Sequence, residues 1–218
     1  MAEPRALNLW KQHLGEVPDS TWADAELEIL ILADNDLETI SERIGRLTRL
    51  RTLDLGHNRL ARLPEAIGDL ASLTDFLYLH DNRLAAVPDS LERLTRLRYL
   101  NLSGNQLQDV PEAITAMTGL VELGLADNPI AALPVSIGRL TSLRELRLRN
   151  TRLATLPESI GELRELRTLD LRGTPLTTLP AAIAGLPNLE KLDLRWMTRL
   201  EEPEWLAALD RRGVRVYR

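Results

Sequence analysis

Leucines recur along the chain in units of 23 residues, and this repeat restricts the possible folds more than any other feature. The units begin at Leu27, Leu50, Leu73, Leu97, Leu120, Leu143, Leu166 and Leu189. Only the unit at Leu73 is longer, with 24 residues. Residues 120–142, LVELGLADNPIAALPVSIGRLTS, show the shared pattern LxxLxLxxNxLxxLPxxIGxLxx. Because one such unit cannot bury its leucines by itself, the repeat predicts a solenoid of stacked coils.

Each unit predicts one strand and one turn. In LxxLxL the leucines alternate with other residues, which is the period of a half-buried β-strand. In LPxxIGxL proline starts a short turn, isoleucine and leucine point inward, and glycine permits a tight bend. We therefore predict a curved α/β repeat solenoid. It would have a parallel β-sheet on its concave face, with one strand per unit and a closing strand, and short helical or 3₁₀ turns on its convex face.

The pattern resembles that of leucine-rich repeat proteins of the 23-residue LPxxIGxL type. These include bacterial stand-alone proteins and the plant Ras-group-related and Shoc-2-like intracellular families. The resemblance covers about residues 4–200. It implies a leucine-rich repeat horseshoe and a non-catalytic scaffold that binds a protein or peptide on its concave face, without a cofactor. A scaffold of this kind accepts many different partners, so the resemblance does not identify one.

We expect one domain with modified ends. Residues 1–26 read as a degenerate N-terminal capping repeat, in which residues 7–9 supply the strand leucines and Trp22 the convex apolar side chain. Eight units occupy residues 27–200. Residues 201–218 read as a C-terminal cap, which would cover the leucines and the sheet edge of the last unit.

Within this C-terminal cap, residues 203–210, PEWLAALD, predict a short helix with proline near its start. Gly213 would end the helix. Residues 214–217 alternate in the manner of a closing strand.

One position of the unit holds a column of asparagines, which changes towards the C-terminus. It reads Asn35, Asn58, Asn82, Asn105, Asn128, Thr151, Thr174 and Met197. A buried asparagine can satisfy backbone groups of the neighbouring coil. Threonine can do part of this and methionine cannot, so we expect regular stacking to weaken near Met197.

Composition excludes several classes of function. The net charge is −5, with 27 Lys and Arg against 32 Asp and Glu, so neither nucleic acid nor an anionic membrane is an expected partner. The chain has no cysteine, which excludes disulfides, thiolate metal sites and a cysteine nucleophile. Its N-terminus has no signal-peptide pattern, and no apolar run approaches membrane-spanning length. We expect a cytoplasmic monomer.

The exposed strand positions bring together an aromatic patch. This patch consists of Phe76, Tyr78, His80 and Tyr99, followed by Asn101. Only 4% of the chain is aromatic, and aromatic side chains on an exposed sheet are typical of interaction hot spots. The alternative is that the rings only support the sheet through cross-strand contacts.

A basic zone follows further along the same face, formed by Arg147, Arg149, Arg172 and Arg195. These arginines could bind acidic groups of a partner, which would then present acidic and apolar contact residues. They also lie among acidic residues, so cross-strand charge pairing is an equal alternative. A further alternative is that the protein acts as a structural or regulatory subunit through its convex face or edges.

Enzymatic chemistry has little support in the sequence. His80 and Ser103 are neighbours on the predicted sheet, but no oxyanion hole or strained nucleophile turn accompanies them. Asp34, His57 and Asp81 share one position of three consecutive units, which is more typical of a charge-balanced surface than of a metal site. A hydrolase that depends on a metal or on histidine is therefore a remote alternative, and we expect no catalytic, cofactor or metal site.

The extra residue of the longer unit falls within LTDFLYLHDN, residues 73–82. Leu77 and Leu79 keep their places in the repeat, so the insertion lies among residues 74–76. One added residue there implies either a β-bulge or a looser entry into the strand, and we predict a bulge at Asp75–Phe76 that re-aims Phe76 beside the aromatic patch. If Phe76 were buried among the leucines, the patch would lose its first member.

Overall fold

The computed structural model describes residues 3–218 and shows one curved sheet of ten parallel strands in sequential order. The strands are β1 (Ala6–Asn8), β2 (Ile29–Ile31), β3 (Thr52–Asp54), β4 (Phe76–Tyr78), β5 (Tyr99–Asn101), β6 (Glu122–Gly124), β7 (Glu145–Arg147), β8 (Thr168–Asp170), β9 (Lys191–Asp193) and β10 (Arg215–Tyr217). The central residues pair in register, as Leu30 does with Leu53. The predicted parallel solenoid is confirmed.

Short 3₁₀ turns return the chain across the convex side, as the LPxxIGxL pattern predicts. They are Asp19–Ala23, Glu42–Arg46, Glu65–Asp69, Asp89–Arg93, Val135–Arg139, Glu158–Glu162 and Ala181–Gly185. The corresponding turn of the fourth full unit, which begins at Leu97, is α-helical instead, α1 (Glu112–Thr115), and the last helix is α2 (Leu206–Arg211). Proline precedes most of these turns in an extended conformation, as at Pro64 with φ −69° and ψ 149°.

The core is a continuous column of aliphatic side chains between the sheet and the convex turns. In a typical coil, strand residue Leu53, Leu55 just after the strand and turn residue Ile67 are completely buried. Each strand has only three residues, so the apolar side chains of one coil are covered mainly by the coils on either side. Stacking therefore provides most of the burial that stabilises the fold.

Buried asparagines tie consecutive coils together by their side-chain amides. At Asn58, Nδ2 donates to the carbonyl oxygens of Leu55 in its own coil and Leu32 in the preceding coil, both at 3.0 Å. Its Oδ1 accepts from the N–H groups of Asn35 and Leu37 in that preceding coil. The same bridge to the preceding coil is made by Asn35, Asn82, Asn105 and Asn128.

The threonines that replace asparagine keep only the local part of this network. Oγ1 of Thr151 donates to the carbonyl of Leu148 at 2.8 Å, and Thr174 makes the equivalent bond within its own coil. Met197 is buried at the next position. The expected weakening is therefore limited to side-chain hydrogen bonds: β8, β9 and β10 still pair in register, because the backbone ladder does not depend on this column.

The extra residue of the longer unit is accommodated just before β4. Asp75 lies in a bend, and the N–H of Arg98 in the next coil donates to the carbonyl of Thr74 at 3.0 Å. From Phe76 onward β4 pairs in register with both neighbouring strands. The predicted bulge that re-aims Phe76 is therefore wrong, because the segment before the strand takes up the insertion. Phe76 keeps its regular, exposed position.

Both ends of the solenoid continue the sheet. At the N-terminus β1 pairs with β2, and Trp22 packs into the core with 3% of its surface exposed. At the C-terminus α2 ends before Gly213, which has a φ of +85°, and β10 then pairs with β9. The helix begins three residues later than predicted, because Pro203 to Trp205 form the turn that leads into it.

We expect Asn58→Ala to lower the free energy of unfolding by about 2–4 kcal/mol, because it leaves backbone groups of two coils without a partner. Thr151→Val, which removes one local hydrogen bond, should cost only about 1 kcal/mol. Urea denaturation followed by circular dichroism measures both. Equal losses for the two variants would contradict a bridging role for the asparagines.

Candidate partner-binding surface

The structure brings the aromatic patch together on the concave face. The ring of Tyr78 lies 5.7 Å from that of Phe76 and 5.0 Å from that of Tyr99, measured between centroids. His80 meets Tyr78 edge-on at 6.2 Å. Phe76 is 41% exposed, whereas the other three side chains are half-buried. Adjacent strands place these rings side by side, so they form one contiguous surface.

A shallow depression of about 240 Å³ opens beside this patch. Its lining consists of Asp75, Phe76, Arg98, Tyr99, Val121 and Glu122. The apolar part comes from two rings and a valine, and the charged part from two carboxylates and an arginine. The depression is large enough to receive one apolar side chain from a partner.

Acidic and basic groups border the aromatic patch, with Asp54 and Glu122 near Tyr78 and Arg98 in the lining of the depression. Burial raises the pKa of the Tyr78 hydroxyl, and the nearby groups of Tyr99, Asp54 and Glu122 raise it further. Burial and these neighbours all oppose ionisation of the Tyr78 hydroxyl. The side chain of Asn101, which we had included as a contact residue, accepts the N–H of Ser103 at 3.1 Å and so supports its own turn.

The arginines of the basic zone are already paired with carboxylates of the same face. Nε of Arg147 donates to Glu145 at 2.7 Å, and its Nη2 lies 3.3 Å from Glu122. Arg149 donates to Asp127 at 2.7 Å. These contacts favour the alternative of charge pairing, within one strand for Arg147 with Glu145 and between neighbouring coils for the other two pairs, because the arginine charges are neutralised locally. Binding of an acidic partner by these arginines stays a prediction.

The strongest pairing surrounds Asp193. Its side chain is completely buried, and it accepts two hydrogen bonds from Arg195, at 2.9 and 2.8 Å. Arg172 lies 3.6 Å away and Lys191 3.7 Å away. Arg172 also forms a bidentate pair with Asp170, at 2.8 and 2.6 Å. One buried carboxylate thus holds three cations at the C-terminal end of the face.

Burial by itself would raise the pKa of Asp193. Hydrogen bonds from Arg195 and the positive charges of Arg195 and Arg172 outweigh it, so the pKa lies below its ordinary value. The same balance lowers the pKa of Asp127, where Arg149 and Asn150 donate to the carboxylate. Both aspartates are therefore ionised at neutral pH and hold their arginines in place.

The structure also shows two exposed aromatic residues that we did not predict as part of the face. Trp196 is 65% exposed and lies against Arg172 and Arg195, with ring-to-guanidinium distances of 5.7 and 5.8 Å. Tyr217 lies 5.4 Å from Arg195. The repeat contains a signal for Trp196: its position, where φ is +66°, is occupied by aspartate, histidine, asparagine or glycine in the other seven full units.

A Ser-His-Asp arrangement does not form among residues 3–218. Nδ1 of His80 contacts Asp81 at 2.9 Å, and no hydrogen bond joins His80 to Ser103. The row of Asp34, His57 and Asp81 does not assemble as a group either: Oδ2 of Asp34 lies 3.8 Å from Nζ of Lys11, and the residues that converge are His57, His80 and Asp81. Instead His57 and His80 approach the same carboxylate of Asp81.

Among the described residues, 3–218, no helix is both long and apolar enough to cross a lipid bilayer.

Fold and surface together define a repeat solenoid with an exposed concave sheet. Models of the leucine-rich repeat family match residues 5–60, 25–84 and 75–130, and a model described as a leucine-rich repeat region matches residues 135–211. These matches cover more than half of the chain. The chain therefore belongs to the leucine-rich repeat family. A search of curated proteins found no matching relative.

Several solved structures share this fold. A leucine-rich repeat protein of Leptospira interrogans superposes with a TM-score of 0.80 at 26% identity, over 99% of this chain and 66% of its own. The leucine-rich repeat domain of the type III effector XopL superposes with a TM-score of 0.83 at 27% identity, over 97% of this chain and 75% of its own.

A plant relative was solved with a bound partner. The ectodomain of the Arabidopsis thaliana receptor kinase GASSHO1/SCHENGEN3, in complex with CASPARIAN STRIP INTEGRITY FACTOR 2, gives a TM-score of 0.76 at 32% identity. The match covers 87% of this chain and 24% of the ectodomain, so this chain spans only a part of that relative's length.

We expect Asp193→Asn to lower the free energy of unfolding by about 2–3 kcal/mol at neutral pH, because three cations lose their shared counter-charge. Because the pKa of Asp193 is lowered in the folded state, its carboxylate stabilises the fold at pH values above the unfolded-state pKa of about 3.9. This stabilisation is lost as the pH falls through the lower folded-state pKa. The difference between wild type and variant in urea denaturation should therefore shrink below about pH 4.

Asp127→Asn is the matched control, since it removes an aspartate whose side chain is well exposed and pairs with one arginine. It should cost at most about 1 kcal/mol. An Asp193→Asn variant no less stable than this control would show that the buried carboxylate does not organise the basic zone.

Proposed function

We propose that the protein is a non-catalytic recognition scaffold that binds a peptide or an extended protein segment at the aromatic patch. The observation that supports this most strongly is the contiguous group of rings around Tyr78 on an exposed sheet, in a chain with only 4% aromatic residues. Such rings offer a large apolar area and lose little conformational entropy when a partner covers them.

The charges beside the patch indicate the chemistry of the partner. Asp54 and Glu122 lie close enough to Tyr78 to contribute to its raised pKa, although Glu122 is also paired with Arg147. A tyrosine face flanked by carboxylates suits an arginine or a lysine through cation–π and ionic contacts. We propose a partner segment with an apolar anchor for the depression at Phe76 and a basic residue next to it. The acidic contact residues expected from the basic zone have less support, because those arginines are already paired.

The neighbouring structures agree with this general role. The plant receptor ectodomain was solved with a bound factor, which supports partner binding by a solenoid of this kind. The face used and the partner of this chain are proposals. The expected cytoplasmic location and monomeric state also stay predictions.

A peptide-display library selected against the wild-type protein would test the proposal. We expect the selected peptides to combine an apolar or aromatic residue with Lys or Arg. Titration calorimetry with one selected peptide should show at least tenfold weaker binding to Phe76→Thr/Tyr99→Thr. Threonine occupies the same strand position at Thr52 and Thr168, so the sheet should tolerate both changes.

Two further variants separate the alternatives. Val135→Glu alters a side chain that is 76% exposed on the convex side and should leave the affinity unchanged. Arg147→Glu/Arg172→Glu reverses charge in the basic zone and should have a smaller effect than the patch variant. Binding that persists in the patch variant but fails in Val135→Glu would transfer the function to the convex face. A selection dominated by acidic peptides would assign it to the basic zone instead.

A further inference from the structure

His57, His80 and Asp81 form a cluster with the composition and spacing of a metal site. One ligand atom from each residue can be chosen so that all three lie within 4.8 Å of one another. Oδ2 of Asp81 lies 2.9 Å from Nδ1 of His80 and 3.5 Å from Nδ1 of His57. The ligands of a tetrahedral zinc ion, with bonds of about 2.0–2.1 Å, are roughly 3.3 Å apart. The two distances bracket this value, and the imidazole ligand atoms of His57 and His80 lie within 4.8 Å of each other, so rotation of these side chains would have to bring all three ligands to this spacing.

The cluster differs from the one that the sequence suggested. The repeat placed Asp34, His57 and Asp81 at one position of three coils, and we expected no metal site from that row. The structure replaces Asp34 by His80, which comes from the preceding position of the coil that contains Asp81. Two imidazoles and one carboxylate are a more selective donor set for a transition metal than one imidazole and two carboxylates.

The backbone holds the two exposed ligands in place. His57 and Asp81 both have left-handed conformations, with φ of +51° and +53°. The N–H of His57 donates to the carbonyl of His80 at 2.9 Å, and that of Asp81 donates to the carbonyl of Ser103 at 2.8 Å. Aspartate and histidine are frequent in this conformation for local reasons, so the turns alone do not imply a metal. They do place both side chains at the same rim of the concave face.

His80 is the more informative ligand, because no turn requires a histidine at its position. The corresponding residue of the preceding coil is Gly56, and a Cβ atom there would lie 2.7 Å from Nε2 of His80. A Cβ at Gly104 in the following coil would collide with Oδ1 of Asp81. Two glycines thus leave the space into which the ligands turn. The ring of His80 is also fixed edge-on between His57, at 4.7 Å, and Tyr78.

We propose that His57, His80 and Asp81 bind a divalent transition-metal ion of the Zn²⁺ class. The three residues leave one coordination position open towards solvent, as in exchangeable rather than closed structural zinc sites. Binding requires both imidazoles without a proton on the ligating nitrogen, so affinity should fall at acid pH. The site lies at the edge of the aromatic patch but does not depend on the proposed peptide binding.

Titration of the metal-free protein with ZnCl₂, by calorimetry at neutral pH, tests the proposal. We expect one ion per chain. His57→Asn, His80→Gln and Asp81→Asn should each weaken binding at least about tenfold. Asparagine suits the left-handed positions, as Asn150 shows with a φ of +55°. Gly56→Ala should also weaken binding without removing a ligand, because it displaces the ring of His80.

His13→Asn is the matched control. His13 is also left-handed, with a φ of +52°, and lies 3.9 Å from Asp36, but it has no second histidine beside it. Its substitution should leave the affinity within twofold of the wild type, and circular dichroism of every variant reports the fold. Failure of the wild type to bind Zn²⁺ at about millimolar concentration would overturn the proposal. Equal binding by wild type and His57→Asn/His80→Gln would overturn it as well.

Discussion

No coil of this protein can bury its own leucines, and the rest of the structure depends on that constraint. A strand of three residues and a turn of five leave most of the apolar surface of a coil facing its neighbours. Stacking buries this surface, and the asparagine column connects the buried backbone groups of one coil to those of the next. Burial and hydrogen bonding therefore favour the same arrangement, which explains why ten strands align without a change of register.

The same stacking decides how the concave face is organised. Parallel strands about 4.8 Å apart align the third residues of successive units in one column, the fifth residues in a second and the seventh residues in a third. In the middle of the sheet the columns hold rings that touch one another, with negative groups nearby. Towards the C-terminus they hold arginines that are paired with aspartates, and Asp193 is the centre of that group. The two halves of the face thus differ: one offers apolar area to a partner, whereas the other satisfies its charges internally.

Much of the fold could be predicted because the repeat contains the same local information many times. The parallel sheet, the convex turns and the role of the asparagines all follow from residues that recur in each unit. Features that occur only once in the chain were harder to predict. The insertion before β4 was expected to re-aim Phe76, yet the preceding bend absorbs it, because the ladder on both sides of Phe76 opposes a shift. The exposed Trp196 and Tyr217 were missed because Trp196 is a single tryptophan at a turn position that holds Asp, His, Asn or Gly in the other full units, and Tyr217 lies in the C-terminal cap beyond the repeats.

The sequence by itself determined the period, the direction of the strands and the membership of the aromatic patch, since leucine spacing and side-chain alternation act within a single unit. Only the tertiary structure decided which side chains neutralise one another and which converge. The pairing of Arg195 with a buried Asp193 depends on rotamers and burial. The meeting of His57, His80 and Asp81 depends on two glycines in the flanking coils. These contacts join residues of different coils, and their geometry exists only after the coils have stacked.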